Sequence, residues 1–178
     1  MIPAEPPLDA PVDAKIDWAN LSYERERSRL LSEQGLGPLL DALKQAVQRS
    51  RENMLRTGIV ECCRECEEEE GGSCCGAGLE EHYSGSLLLI NRLLGVTLPQ
   101  GLKESTSCSF LSPTGCGLLA RHVLCVNYVC AKITSRIRPD QLTALRNAEG
   151  EEIFILFQVN ETLRRMIRSS SVVPFRVG

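Results

Sequence analysis

Aromatic side chains are scarce in this chain, with one Trp, three Tyr and four Phe among 178 residues. A core must therefore rest on Leu, Ile and Val. Long apolar runs are lacking: none approaches the roughly 18 residues that cross a bilayer, so no membrane association is expected. An excess of positive charge is lacking too. The net charge is -3, with Arg and Lys alternating with Glu along most of the sequence. Phosphate recognition needs clustered cations, so no nucleic-acid partner is expected. Residues 1–20 have neither the basic start nor the apolar centre of a secretory signal, which points to the cytoplasm. No Ser-His-Asp arrangement is identifiable from spacing. The stretch GGSCCGAG lacks the Lys-Ser or Lys-Thr of a phosphate loop. Substrate, partner and oligomeric state are not legible, an unidentified protein partner stays open, and so does enzymatic activity.

Cysteine is what the chain has in excess, at nine residues. Dense cysteine in a reducing compartment points to metal rather than disulfides, and an odd count suits a disulfide framework poorly. The positions fall in two groups along the chain. Cys62, Cys63, Cys66, Cys74 and Cys75 read C-C-x2-C-x7-C-C. Cys108, Cys116, Cys125 and Cys130 read C-x7-C-x8-C-x4-C. A thiolate is a soft charged donor, and a tetrahedral ion needs four donors converging from different directions. Short spacings let two donors leave one turn, and glycines permit the backbone angles such turns require. A single cysteine is as readily a packed core residue, but nine within residues 62–130 have no common packing explanation.

The expected fold is mainly α, with an irregular cysteine-rich metal-binding core flanked by N- and C-terminal helices. Residues 1–20, with Pro3, Pro6, Pro7 and Pro11, read as a tail or a strap across the surface. Residues 21–58 read as a helical arm, with Leu40, Leu43, Val47 and Met54 near helical spacing. Residues 59–135 read as the cysteine-cluster domain: irregular to residue 78, helical over 79–94, loop-like over 100–117, with a helical turn or two beyond. Residues 136–178 read as two C-terminal helical stretches, with a short strand signal near residues 171–176.

The second cysteine group resembles the YkgJ-type cysteine-cluster proteins, a family described as zinc- or iron-chelating. Phe110, Leu111, Arg121, Cys125, Tyr128 and Cys130 fall on places of that family's pattern. Cys62-x3-Cys66 and the Cys74-Cys75 pair are similar to the C-x3-C-x2-C-C signature that gives the family its first group. Two departures stand out. Seven residues separate Cys66 from Cys74, and His122 stands where the family usually has proline. The resemblance implies metal binding through Cys62, Cys66, Cys74, Cys75, Cys108, Cys116, Cys125 and Cys130, with Cys63 as a replacement ligand for Cys62 or a spare thiol. It implies no particular reaction. The cofactor is zinc or an iron–sulfur cluster, since thiolate sites suit both. The expected role is structural or regulatory, and the alternative is an iron–sulfur redox protein or a metal-dependent enzyme.

Secondary candidates are His122 and His82 as ligands or proton carriers, and Arg121 as a cation balancing thiolate charge. Cys63 beside Arg64 is a candidate for a lowered thiol pKa. Glu67, Glu68, Glu69 and Glu70 read as a solvated surface insertion.

Overall fold

The structure, a computed structural model, describes residues 2–33, 35–69, 74–101 and 106–171. It is mainly helical. Helix α1 runs Val12–Ser32, α2 Leu36–Arg56, α3 Ile59–Glu69, α4 Gly85–Leu93, α5 Val123–Asn127, α6 Ala131–Arg136 and α7 Pro139–Ser171. A 3-10 turn covers Leu79–His82, and two short strands, β1 (Leu111–Ser112) and β2 (Gly115–Cys116), pair antiparallel. None of the helices is long and apolar enough to cross a membrane, among the described residues.

The main core lies where α2 packs on α7 and α1 on α4. Helix α1 begins at Val12 directly after Pro11 and turns Val12, Ile16, Ala19 and Leu30 inward at helical spacing. The proline-rich start is thus shorter than expected. Before Pro11 it does act as a strap: Ile2 is buried, the Pro3 carbonyl accepts the Trp18 indole N–H at 3.0 Å, and Glu5 accepts the Ser86 N–H at 2.5 Å. Lys15 is fully buried, and its ammonium donates to the Glu81 carbonyl at 2.8 Å, tying α1 to the 3-10 turn.

Helix α2 starts after Gly35, whose φ of 103° suits glycine, with Pro38 in the first turn where its missing N–H costs nothing. Leu36, Leu40, Leu43, Ala46 and Val47 face the core. The segment from residue 59 is helical rather than irregular. Glutamate is a good helix former, and Ile59 and Cys62 supply the buried face. Residues 67–69, read as a loop insertion, form the last turn of α3. The expected helix over 79–94 divides at Tyr83. Ser84 caps α4 by accepting the Leu87 N–H at 3.2 Å, a strong start signal.

The loop-like stretch near residue 111 carries the β1–β2 hairpin, in register Leu111↔Cys116. The two expected C-terminal stretches are one helix, α7, running through Gly150. The strand signal beyond Ser171 lies outside the described residues. A second, smaller apolar cluster forms between α3, α6 and α7. Ile59, Cys62, Ile133, Ile137 and Leu145 are its buried members, with Met54, Cys63, Val129, Cys130 and Leu142 packed against them.

Candidate metal centre

Helix α3 sets the first thiols. Its 3.6-residue period places Cys62 and Cys66, four apart, and Cys63 and Cys66, three apart, as neighbours on its surface. Cys62 is buried, while Cys63 and Cys66 are half-buried. The α3–α6 contact then brings in Cys130, which stands at the N-cap of α6 and packs with Cys63 in the smaller cluster. Two cations come with α6. The Lys132 ammonium donates to the Cys66 sulfur at 3.4 Å, and the Arg136 guanidinium to the Cys62 sulfur at 3.9 Å. Both also pair with Glu65 of α3, at 3.4 and 2.8 Å.

The adjacent cysteines 74 and 75 complete this set. Burial, with Cys75, Cys62, Cys74 and Cys130 adding to it, pushes the Cys63 thiol up to about 12. The Cys74 thiol is also raised, first by burial, then by Cys130 and Cys66. Like charges crowded together resist ionisation, so these shifts mark six thiols sharing one neighbourhood. The Cys63 shift is opposite to the one expected from Arg64: burial comes first, and the neighbouring sulfurs add to it.

Cys108, Cys116 and Cys125 gather elsewhere, around Tyr83. That phenol is buried, packs edge-on against Phe110 with ring centres 5.1 Å apart, and donates to the Cys125 sulfur at 3.9 Å. It also accepts the His122 N–H at 3.0 Å. Burial, with Cys125 and Cys116 adding to it, raises its pKa. Cys116 is delivered by β2, and Cys108 by the turn closed by its own carbonyl and the Leu111 N–H at 2.8 Å. Burial, with Glu80, Cys116 and Cys125 adding to it, pushes the Cys108 thiol up to about 12. Burial also raises Cys125, with Cys116 adding and the Tyr83 hydroxyl and Arg121 opposing.

The carboxylate of Glu80 sits beside this set. Burial pushes it up, but its own backbone N–H, that of Gly78, and the Ser109 hydroxyl outweigh burial and leave it below the ordinary range. His122 caps α5, its Nδ1 accepting the Leu124 N–H at 3.3 Å. Burial, then the nearby His82, keep its pKa below the usual 6.5. His82 is exposed, its ring 5.9 Å from that of His122.

The eight expected ligands therefore divide five and three, with Cys63 added to the five. Cys130 changes company, leaving its sequence neighbour Cys125 for the α3 thiols. Among the described residues, no three His, Cys, Asp or Glu groups converge closely enough to hold a metal ion as they stand. The donor chemistry suits a thiophilic ion, and side-chain rotation is what a closed shell would require.

Arg121 is not a surface residue, and its charge acts on the Cys125 thiol, lowering it. Arg121 is buried and pairs with the buried Glu152 of α7 at 3.1 Å, with the Met54 sulfur 3.4 Å away. Sequence reasoning missed Tyr83, Glu80, Lys132 and Arg136. For the last two no signal was present, since their reach to α3 depends on contacts 66 and 74 residues apart. Tyr83 carried none, reading only as a member of an apolar face.

Compared with protein-family models, with curated proteins and with solved structures, the chain matches none.

Proposed function

We propose that this chain is a metal-binding protein that takes zinc or an iron–sulfur cluster through cysteine thiolates, in a structural or regulatory role. The ligands are drawn from Cys62, Cys66, Cys74, Cys75, Cys108, Cys116, Cys125 and Cys130. One observation carries the reading. Six thiols from three separated segments, α3, residues 74–75 and the start of α6, share one neighbourhood with two cations. Four thiolates around a divalent ion leave a net charge of about -2, which nearby Lys132 and Arg136 offset.

Bound zinc would add its binding energy directly to folding, and an iron–sulfur cluster would instead carry an electron. The chain's own residues hold the donors in place: α3 fixes the spacing of three thiols, and Lys132 and Arg136 set positive charge beside two of them. A redox protein is the second reading, favoured by a number of gathered thiols exceeding what one tetrahedral ion uses.

Anaerobic purification, followed by an absorption spectrum and analysis for zinc, iron and labile sulfide, tests the proposal. Zinc without colour is expected for the structural role. Iron with sulfide and visible charge-transfer absorption selects the redox reading. Metal-free protein whose thiols all react freely overturns both.

A further inference from the structure

We propose that α7 pairs antiparallel with α7 of a second copy of this chain, through a seam centred on Phe154 and Phe157. The pairing does not depend on metal binding.

The inward face of α7 is already used. Leu145, Val159, Leu163 and Met166 are buried there. The opposite face carries Asn147, Gly150, Phe154, Phe157, Glu161 and Arg164, all exposed. Their spacing alternates between three and four, the repeat by which one helix lines up a seam for another. Phe154 and Phe157 are each 62% exposed and, three apart, are neighbours on the helix surface. The chain has only four Phe, and two of them stand together in water. Exposed aromatics grouped in this way are what interfaces enrich.

Charge selects the occupant and its direction. In a parallel pair each seam residue meets its own copy, so Glu161 would face Glu161 and Arg164 would face Arg164. Turned antiparallel about the midpoint of the two Phe, Phe154 of one copy meets Phe157 of the other. Glu161 then falls opposite Gly150, where a Cβ would meet nothing within 4 Å and a carboxylate has room. Arg164 falls opposite the neutral Asn147. The flank is complementary as well. Beside the seam, Glu151, Gln158 and Arg165 follow at seven-residue intervals, all exposed. The antiparallel register sets Glu151 of one copy against Arg165 of the other, twice, with Gln158 against Gln158 on the two-fold axis. Within one chain Arg165 donates to the Glu161 carbonyl at 3.3 Å and the Thr162 hydroxyl at 3.2 Å. Glu151 holds Arg49 through one oxygen at 2.7 Å, with 49% of its side chain exposed, so its other oxygen can take a guanidinium. The opposed helix dipoles favour the same direction. A seam one helix wide lies at the small end of protein interfaces, below about 1,200 Å², so the dimer should dissociate on dilution.

The test is sedimentation equilibrium of the full chain, with a thiol reductant present so that no disulfide links two copies, from low micromolar to near-millimolar concentration. A mass rising toward twice that of the chain is expected. Phe154→Ser with Phe157→Ser should raise the dissociation constant by more than about tenfold, with unchanged far-UV circular dichroism because both side chains are exposed. Arg165→Glu should raise it about three- to tenfold, and adding Glu151→Arg to Arg165→Glu should restore pairing. A chain that stays monomeric at every concentration overturns the proposal. A dimer that persists in the Phe variant is held by another surface and overturns it too. A charge exchange that fails to restore pairing overturns the antiparallel register.

Discussion

Two buried polar residues hold the approach to the thiols. Asn91 is fully buried in α4. Its amide donates to the Leu87 and Ala120 carbonyls and accepts the Leu119 and Ala120 N–H groups, at 2.9–3.0 Å. It satisfies the backbone that leaves β2 for α5, so the position of Cys116 relative to Cys125 depends on it. Glu152 has a parallel task. It neutralises Arg121 directly, and Arg51, which donates to the Leu118 carbonyl at 2.5 Å, lies within its field. Removing one partner of a buried pair leaves the other charge uncompensated. Glu152→Gln is therefore expected to cost about 3–5 kcal/mol in urea unfolding. Arg121→Met with Glu152→Leu should cost less than the two single changes summed; equal or larger loss would show that the pair is not a unit. None of this was legible beforehand, because Arg121 and Glu152 are 31 residues apart and charge carries no periodic signal of burial.

At the scale of the helix, one substitution is expected to have opposite effects at two glycines. Gly85 opens α4 against the Trp18 ring, and a Cβ there would lie 2.7 Å from a ring carbon. Gly150 lies within α7, where a Cβ would meet nothing within 4 Å. Gly85→Ala should lower stability by about 1–3 kcal/mol through overpacking, and Gly150→Ala should raise it by about 0.4–1 kcal/mol through the unfolded chain's entropy. Thermal melts of the two variants check both signs. Helix α2 was readable because Leu40, Leu43 and Val47 mark a face. Helix α3 was hidden, since cysteine and glutamate signal chemistry and charge more loudly than helical competence. The geometry of its thiols was hidden with it: x2 and x3 spacings put donors on one side of a helix, whereas in a turn the backbone angles, which the sequence does not display, decide where they point.

Across the molecule, the thiols divide between a large core and a small one. Lengthwise spacing placed Cys130 beside Cys125, but the chain turns between α5 and α6, and Ile133 and Ile137 carry α6 onto α3. Only contacts far apart in sequence decide that, and a single sequence does not display them. The small cluster has five buried members, two from α3 and two from α6 and its C-cap. It has little apolar area of its own and stands to gain most from a cross-linking ion. Chelation of the purified protein is expected to lose amide hydrogen-exchange protection in α3 and α6 while α2 and α7 retain theirs. Uniform loss, or none, would count against metal supporting this corner of the fold.

The seat of Trp18 has an optical consequence. It is the sole tryptophan, held between the Pro3 carbonyl and the start of α4. Its emission samples the N-terminal strap and the far end of the segment bearing Tyr83, which Lys15 links to α1 three residues earlier. The chain thus carries its tryptophan on the main-core side, and events confined to α3 and α6 are expected to leave the colour of its emission unchanged.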